Sequence, residues 1–431
     1  MAWDFSTDLE FQEKLDWVGQ FVRDEVEPLD LVYPHLHYTP PTDEIRHVID
    51  PLKSRVRAQG LWAAHLGPDL GGKGFGQVKL ALLNEILGRS DWAPIIFGTQ
   101  APDTGNAEIL AHYGTESQKA RFLQPLLDGE IFSCYSMTEP QGGADPGEFT
   151  CRGYRDGDEW IIDGWKFFSS NASTASFLIV MVVTDPEASP HNGMSMFLVP
   201  SDTPGVEIVR DIKLGGDPAN APGHALIHYD QVRLPGDSLL GEEGQGFAVA
   251  QTRLGGGRVH HSMRTVGLCQ RALDMMCERA LSRTTKGSLL AEKQMVQQYI
   301  ADSWAQIQQL RLLVLHTAWI IDQKTTAGSR KEIAAIKTVA ADVLHDVVMR
   351  AIQVHGALGI SEELPLWRWL QQVFVVRFSD GPSEVHRITL ARQVLKGYER
   401  APGLWPSEHI PSRTEPARAH VALALEEHLT G

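Results

Sequence analysis

The chain has 431 residues, of which 43% are hydrophobic and 22% charged, and its 39 Lys and Arg stand against 54 Asp and Glu for a formal net charge of −15. This length predicts two or three domains with room for a buried cofactor, whereas the acidic balance argues against a general nucleic-acid binder, which needs a basic face. The four cysteines form no C-x-x-C pair, so reduced core thiols are favoured over a zinc site.

The N-terminal third has a helical pattern. Its first residues are acidic and lack the basic and apolar regions of a secretory signal, so we expect a cytoplasmic protein. Thr7-Asp8-Leu9-Glu10 matches a capping box, and apolar residues then recur at helical spacing from Phe11 to Val26, until Pro28. Helical spacing returns in residues 79–88 and 107–113. We therefore predict a helical domain over residues 1–132.

The middle third has short β-rich runs bounded by Gly, Pro, Asp and Asn. Residues 160–168 (WIIDGWKFF) predict a hairpin that turns at Asp163-Gly164. Four more runs follow, at residues 177–183, 194–199, 206–214 and 225–234. Five or six short strands in about 100 residues are typical of a small barrel or sandwich. Residues 177–183 form the longest apolar run, which is far too short to span a bilayer.

The last third is helical again, with apolar faces that begin near Val259, Met295, Val339 and Val385. Long helices with short joints are typical of a four-helix bundle. The sequence thus predicts an α+β chain with three domains: the N-terminal α-helical domain, a small β-barrel domain over residues 133–245, and a C-terminal four-helix bundle with a tail over residues 246–431.

Two stretches in the middle third have the composition of a ligand site. Residues 135–145 (YSMTEPQGGAD) put small residues and a hydroxyl on a tight loop, where backbone N–H groups can approach an anionic or polar ring edge. A turn at a domain junction explains this loop equally well. Residues 166–171 (KFFSSN) place an aromatic ring beside two hydroxyls, which suits a planar ligand. A core Phe with turn serines is the more usual explanation.

Two stretches in the last third carry turns. Residues 377–387 (RFSDGPSEVHR) contain the turn Asp380-Gly381-Pro382 just before a helix, where a carboxylate is usually a helix cap. Residues 353–359 (QVHGALG) end a helix in a Gly-rich loop, which a glycine C-cap explains. No stretch identifies an enzyme by itself.

Together, the order and spacing of these stretches resemble the acyl-CoA dehydrogenase family from about Phe11 to Leu395. Y-S-M-T-E-P-x-x-G-x-D is similar to the family's first signature, and K-F-F-S-S-N to its flavin-stacking strand, where Trp commonly replaces Phe168. Residues 101–106, 113–119, 267–274 and 283–290 also fit the family pattern. The resemblance implies the three-part fold predicted above and an oxidoreductase of fatty acid degradation that contains FAD.

The resemblance also implies roles for individual residues toward FAD. One loop would hold the pyrimidine edge of the flavin through Tyr135, Met137, Thr138, Gly143 and Ala144. One strand would cover the other side of the ring through Phe168, Ser169 and Ser170. Contacts to the rest of the cofactor, partly from a neighbouring subunit, are implied for Arg283, Thr285, Leu290, Gln294, Gln353, Val354, Ala357, Pro382 and Glu384. Such shared sites imply a homodimer or a homotetramer.

Asp380 stands where most of the family has Glu, and R-x-x-D-G-P-x-E-V-H resembles a subgroup that carries Asp there. The resemblance implies that Asp380 removes the α-proton of an acyl-CoA thioester while a hydride leaves the β-carbon for flavin N5, which yields a trans-2-enoyl-CoA. We expect burial to raise the pKa of Asp380 towards neutrality. Substrate contacts are implied for Arg258, Ala144 and Gly381, although Ala144 lacks the hydroxyl of the Ser found in many members.

The resemblance suggests that the electrons pass to an electron-transferring flavoprotein or a related acceptor. Two alternatives stay open. A flavoprotein oxidase of the same fold could act on acyl-CoA or on another carbon acid such as a nitroalkane. A catalytically silent member could bind CoA or act as an assembly partner.

Overall fold

The computed structural model describes residues 5–34, 41–215, 223–324, 327–400 and 403–430. Helices make up its first part: α1 (Leu9–Phe21), α2 (Glu27–Val32), α3 (Asp43–Ala58), α4 (Gln77–Leu87), α5 (Ala93–Ile96), α6 (Asp103–Tyr113), α7 (Glu116–Gln118) and α8 (Gln124–Asp128). The side chain of Asp8 caps α1 by accepting a hydrogen bond from the Phe11 N–H. The helical spacing predicted as far as Pro28 is confirmed, although it does not form one regular α-helix, because α1 ends at Phe21. The chain continues through a π-helical turn, Val22–Val26, into α2, whose first turn tolerates a proline.

The middle part is a β domain, as predicted. Its strands are β1 (Ser133–Ser136), β2 (Arg152–Asp156), β3 (Glu159–Ser170), β4 (Phe177–Val183), β5 (Met194–Pro200), β6 (Val206–Ile212) and β7 (His224–Pro235). They pair in the order β1-β4-β2-β3-β7-β6, with β5 on β4. Because β1 also pairs with β3, the four strands β1, β4, β2 and β3 close into a ring. Trp160, Ile162, Phe197 and Tyr229 are in its core.

The hairpin predicted at Asp163-Gly164 is wrong, because β3 is continuous across both residues. The turn lies earlier, between β2 and β3, where Asp156 pairs with Glu159. Gly164 has φ 141°, and the register of β3 against β7 shifts beside it. A Cβ at this position would lie 2.7 Å from the Cα of Cys151. The Asp-Gly pair therefore makes a β-bulge rather than a turn.

Long helices form the last part: α9 (Gly246–Ser282), α10 (Gln294–Gln323), α11 (Arg330–His355), α12 (Leu366–Phe378), α13 (Ser383–Leu395) and α14 (Ile410–Thr430). A small ribbon, β8 (Thr284–Thr285) with β9 (Ser288–Leu289), joins α9 to α10. Helix α11 packs against α9, α10, α12 and α13. Their core includes Val78 and Ala81 of α4, so the first helices pack directly on the bundle. Among the described residues, no helix is long and apolar enough to cross a membrane.

Candidate active site

Asp380 lies in the turn that joins α12 to α13, in the left-handed conformation with φ 55°. Its carbonyl oxygen accepts two hydrogen bonds from Arg258 of α9, at 3.2 Å from Nε and 2.8 Å from Nη2. The Nε2 of His386, on α13, lies 3.1 Å from the same oxygen. The N-cap of α13 is Pro382, and no side chain caps this helix. Asp380 is therefore not the helix cap that its position alone would suggest.

The side chain of Asp380 is 23% exposed, and its Oδ1 lies 4.0 Å from Nη1 of Arg253. Within the part of the chain that the structure describes, the hydrogen bonds at Asp380 all go to its carbonyl oxygen, and none reaches its carboxylate. A carboxylate in this state keeps its lone pairs available to accept a proton. It therefore has the chemistry of a base.

The expectation that burial raises the pKa of Asp380 towards neutrality is wrong for this chain. Burial does raise the pKa, but the attraction of His261, Arg253, Arg258 and Lys337 outweighs it and brings the pKa below its ordinary value. Burial lowers the pKa of His261 to about 4, so near pH 7 the positive charge comes from the two arginines and Lys337. The Asp380 carboxyl group is thus ionised well below neutrality.

A cavity of about 1200 Å³ opens beside this turn. Asp380, Arg258, His261 and Lys337 line it from the bundle side, and Gln100 and Ala101 line it from the segment between α5 and α6. This volume exceeds the range of about 300–1000 Å³ of ordinary small-molecule sites. The cavity is therefore large enough to hold a bulky ligand beside Asp380.

The loop after β1 is held by a buried ion pair. Nζ of Lys166 lies 2.8 Å from Oε1 of Glu139, with the two side chains 0% and 1% exposed, and it also donates to the carbonyl of Met137 at 2.7 Å. The N–H of Phe167 donates to the carbonyl of Thr138 at 2.8 Å. The loop and strand predicted to hold the flavin are thus joined, while Gly143 and Ala144 lie exposed at the loop's far side.

The end of β3 presents an aromatic ring. Phe168 has a left-handed φ of 54° and is 44% exposed. The two hydroxyls after it are used within the β domain, since Ser169 Oγ lies 3.0 Å from Ser136 Oγ and Ser170 Oγ lies 2.7 Å from Nδ1 of His224. An exposed ring of this kind fits a planar group that stacks on it.

The other predicted cofactor residues lie on the α9–α10 connection, at the start of α10, at the end of α11 and at the start of α13. Most are exposed: Arg283, Thr285, Gln294, Gln353, Ala357 and Glu384. Leu290 and Pro382 are half-buried, whereas the side chain of Val354 is buried in the bundle core. Surface guanidinium and amide groups fit the polar part of a dinucleotide. The donor set of the chain therefore fits FAD, with Val354 available through its backbone alone.

Three groups near Asp380 are not among the residues predicted from the sequence: Arg253, His261 and Lys337. Lys337 has the clearest signal, because it is the charged residue in the apolar stretch I-A-A-I-K-T-V-A-A, and its Nζ donates to the carbonyl of Val376. Burial lowers the pKa of Lys337 to about 8. Nothing in the sequence marks Arg253 as a neighbour of Asp380.

Comparison with known proteins gives the family. The models of the acyl-CoA dehydrogenase N-terminal, middle and C-terminal domains match residues 10–130, 134–231 and 244–395. FadE2 of Mycobacterium tuberculosis, named a probable acyl-CoA dehydrogenase, is 45% identical over 83% of this chain and 87% of its own length. Acyl-CoA dehydrogenase family member 11 of Rattus norvegicus is 40% identical over 90% of this chain, which spans about half (51%) of that relative.

A solved Mycobacterium abscessus structure of the acyl-CoA dehydrogenase type has a TM-score of 0.85 and 38% identity, and the match covers 91% of this chain and 100% of that one. The three family models follow each other along the chain in the order of its helical, β and helical parts. The chain belongs to the acyl-CoA dehydrogenase family of oxidoreductases.

Proposed function

We propose that this chain is an FAD-dependent acyl-CoA dehydrogenase of the Asp subgroup, with Asp380 as the base that removes the α-proton of an acyl-CoA thioester. The observation that carries the proposal is the Asp380 carboxylate. It borders the cavity and accepts no hydrogen bond from the described residues, while Arg258 and His386 contact its backbone carbonyl. A fixed backbone and an available lone pair are what a general base requires.

Different residues would bind the flavin and stabilise the reacting thioester. FAD, when bound, accepts the hydride from the β-carbon, and Phe168 with the loop at Met137 and Thr138 would hold its ring. The backbone N–H of Asp380 would donate to the thioester oxygen as negative charge develops there. Arg258 donates two hydrogen bonds to the carbonyl oxygen of Asp380 and so stabilises this turn. The predicted role of Arg258 toward the substrate would therefore be indirect, through the position of the turn.

The low pKa of Asp380 affects both its strength as a base and the fraction of it that is ionised. A base that ionises at acidic pH has less driving force for taking a proton from carbon. It is, however, in its active form over the whole physiological range. The nearby cations also favour negative charge in the cavity, which would assist formation of an enolate.

The product would be a trans-2-enoyl-CoA, with an electron-transferring flavoprotein as the electron acceptor. The exposed Arg283, Gln353 and Glu384 support a cofactor site completed by a neighbouring subunit, and hence a homodimer or a homotetramer. We expect this assembly in the cytoplasm.

The test is anaerobic addition of acyl-CoAs of differing length and branching to the purified yellow protein. We expect the flavin band near about 450 nm to bleach with at least one of them, enoyl-CoA to form, and reoxidation in air to be slow. Rapid formation of H₂O₂ would instead indicate the oxidase. A colourless protein that binds CoA without turnover would support the catalytically silent alternative.

A further inference from the structure

Arg253, near the start of α9, is the cation that approaches the carboxylate of Asp380. Its Nη1 lies 4.0 Å from Oδ1, and its side chain is 11% exposed. The other cations around the turn are engaged elsewhere. Arg258 donates to the backbone carbonyl of Asp380, and Lys337 donates to the carbonyl of Val376.

Three residues form a cradle for Arg253. Its Nε donates to Oδ1 of Asn106 at 2.9 Å, and its Cζ lies 3.9 Å from the ring centroid of Tyr135. Gly105 makes the room, since a Cβ there would lie 2.9 Å from Cγ of Arg253 and 3.3 Å from its Nε. Such a contact would force the arginine to move.

The cradle is itself fixed. Nδ2 of Asn106 donates to Oγ of Ser133 at 2.9 Å, and this hydroxyl donates to Oδ1 of Asp103 at 2.5 Å. Asn106 and Ser133 are both 0% exposed. The position of Arg253 is therefore set by α6 and β1, outside the bundle that carries Asp380.

The charged and titratable groups that interact electrostatically with Asp380 come from several elements. They are Arg253, Arg258 and His261 of α9, Lys337 of α11, His386 of α13 and Tyr135 of β1. Arg253 also attracts the carboxylates of Asp103 and Glu108 on α6. Burial raises the pKa of Asp103 to about 6 and that of Glu108 to about 7. Near pH 7 Asp103 is mostly ionised and Glu108 partly so, but among the described residues the carboxylate within 4.0 Å of the guanidinium is that of Asp380.

We propose that Arg253 is the positioning residue of the base: the cradle of Gly105, Asn106 and Tyr135 holds its guanidinium against the Asp380 carboxylate and fixes both the conformation and the ionised form of that carboxylate. This inference rests on the proposed role of Asp380. Burial raises the pKa of Asp380, and the positive charge of Arg253 lowers it. Removing the guanidinium therefore raises the pKa of Asp380.

The experiment measures kcat/KM of the FAD-loaded protein between about pH 4 and pH 9 for Arg253→Gln, Arg253→Lys and Gly105→Ala. In the wild type the fall of kcat/KM at acidic pH, the acid limb, is expected at or below the lower end of this range, because the pKa of Asp380 lies below its ordinary value. In Arg253→Gln the acid limb moves upward into the measured range, because the loss of an opposite charge at about 4 Å raises the pKa of a carboxyl group by about 1–3 units. Arg253→Lys restores part of the shift, because it keeps the charge. Gly105→Ala shifts the limb in the same direction with both charged residues still present.

Arg311→Gln is the matched control, since Arg311 is a half-buried arginine that pairs with Glu85 at 2.9 Å. It should leave the acid limb in place. Thermal unfolding and the flavin spectrum check that each variant is folded and loaded. If Arg253→Gln does not fold, Arg253→Lys and Gly105→Ala decide, and unchanged acid limbs in both would overturn the proposal.

Asp380→Asn separates this inference from the proposed function. If this variant keeps near-normal turnover, Asp380 is not the base and both ideas fail. If it is inactive while a folded Arg253→Gln has the wild-type pH profile and kcat, only the role of Arg253 is overturned.

Discussion

Asp380 and Asp30 both line the cavity, yet their surroundings are opposite. Asp380 has three permanently or largely charged cations near it, and its pKa lies below the ordinary value. Asp30 is 12% exposed and has Asp91 beside it, with Arg271 at 3.7 Å. Burial and the repulsion of Asp91 raise the pKa of Asp30 to about 7 against the weaker attraction of Arg271.

Hydrogen bonding differs in the same way. Oδ1 of Asp30 accepts from Ser90 Oγ at 3.1 Å and from the N–H groups of Asp91 at 3.1 Å and Trp92 at 3.4 Å, so it fixes the chain that leads into α5. The Asp380 carboxylate has no comparable donors in the described ranges. Burial alone therefore does not mark a catalytic acid or base. Unused lone pairs and surrounding cations distinguish Asp380, the proposed base, from Asp30, whose lone pairs accept hydrogen bonds from the backbone.

The largest effect is expected from Asp380→Asn, which removes the base while keeping a side chain that tolerates the left-handed φ of 55°. Turnover of acyl-CoA should fall by several orders of magnitude, because proton abstraction loses its acceptor. The protein should remain yellow, since Asp380 belongs to the turn and not to the loop at Met137. Steady-state rates and the flavin spectrum check both points. Near-normal turnover would mean that Asp380 is not the base and that it does not differ from Asp30 in reactivity.

Glu139 extends the comparison to a carboxylate whose lone pairs are saturated. Besides Lys166, it accepts hydrogen bonds from the N–H groups of Thr150 at 2.6 Å and Cys151 at 3.1 Å. Glu139→Gln keeps the shape but leaves Lys166 charged and 0% exposed without its partner. We expect the free energy of unfolding to fall by about 3–5 kcal/mol. Urea unfolding measures this loss.

Two controls accompany Glu139→Gln. Arg233→Gln removes an exposed arginine of the same β domain, paired with Asp156 at 2.8 Å and Glu159 at 3.0 Å, and should change stability little. The double variant Glu139→Gln with Lys166→Met should recover part of the loss, because no uncompensated charge remains. If the single variant is as stable as Arg233→Gln, the ion pair does not hold the loop.

The three-part fold can be predicted from the sequence because the hydrophobic period changes from helical to alternating near Phe132 and back again after β7. Asp380 can be selected through the family pattern. Its pKa cannot, because the cations that set it come from other elements, with Arg258 lying 122 residues earlier in the chain. The bulge at Gly164 is likewise decided by a tertiary contact, with Cys151. Local sequence patterns specify helices and strands. The pKa of a side chain and the close contact of two backbone segments depend instead on residues that are distant in sequence and that the fold brings together.

The last effect concerns the pH dependence of stability at Asp30, and its sign follows from the raised pKa of this residue. Between about pH 4 and pH 7 the folded chain holds a proton on Asp30 that the unfolded chain has released, because the pKa is raised from 3.8 to about 7. Its contribution to stability is therefore fully present below about pH 4 and is lost as the pH rises through about 7. The loss is on the order of a few kcal/mol.

Asp30→Asn isolates this contribution, since an amide keeps the oxygen that accepts from Ser90 and Asp91 but does not titrate. Other buried acids such as Glu108, with its pKa of about 7, titrate in both proteins and cancel in the difference. The variant's stability relative to wild type should therefore rise from pH 4 to pH 8, as measured by urea unfolding at each pH. A flat difference would mean that the pKa of Asp30 is not raised. The attraction of Arg271 would then balance burial and the repulsion of Asp91, as His261, Arg253, Arg258 and Lys337 outweigh burial at Asp380.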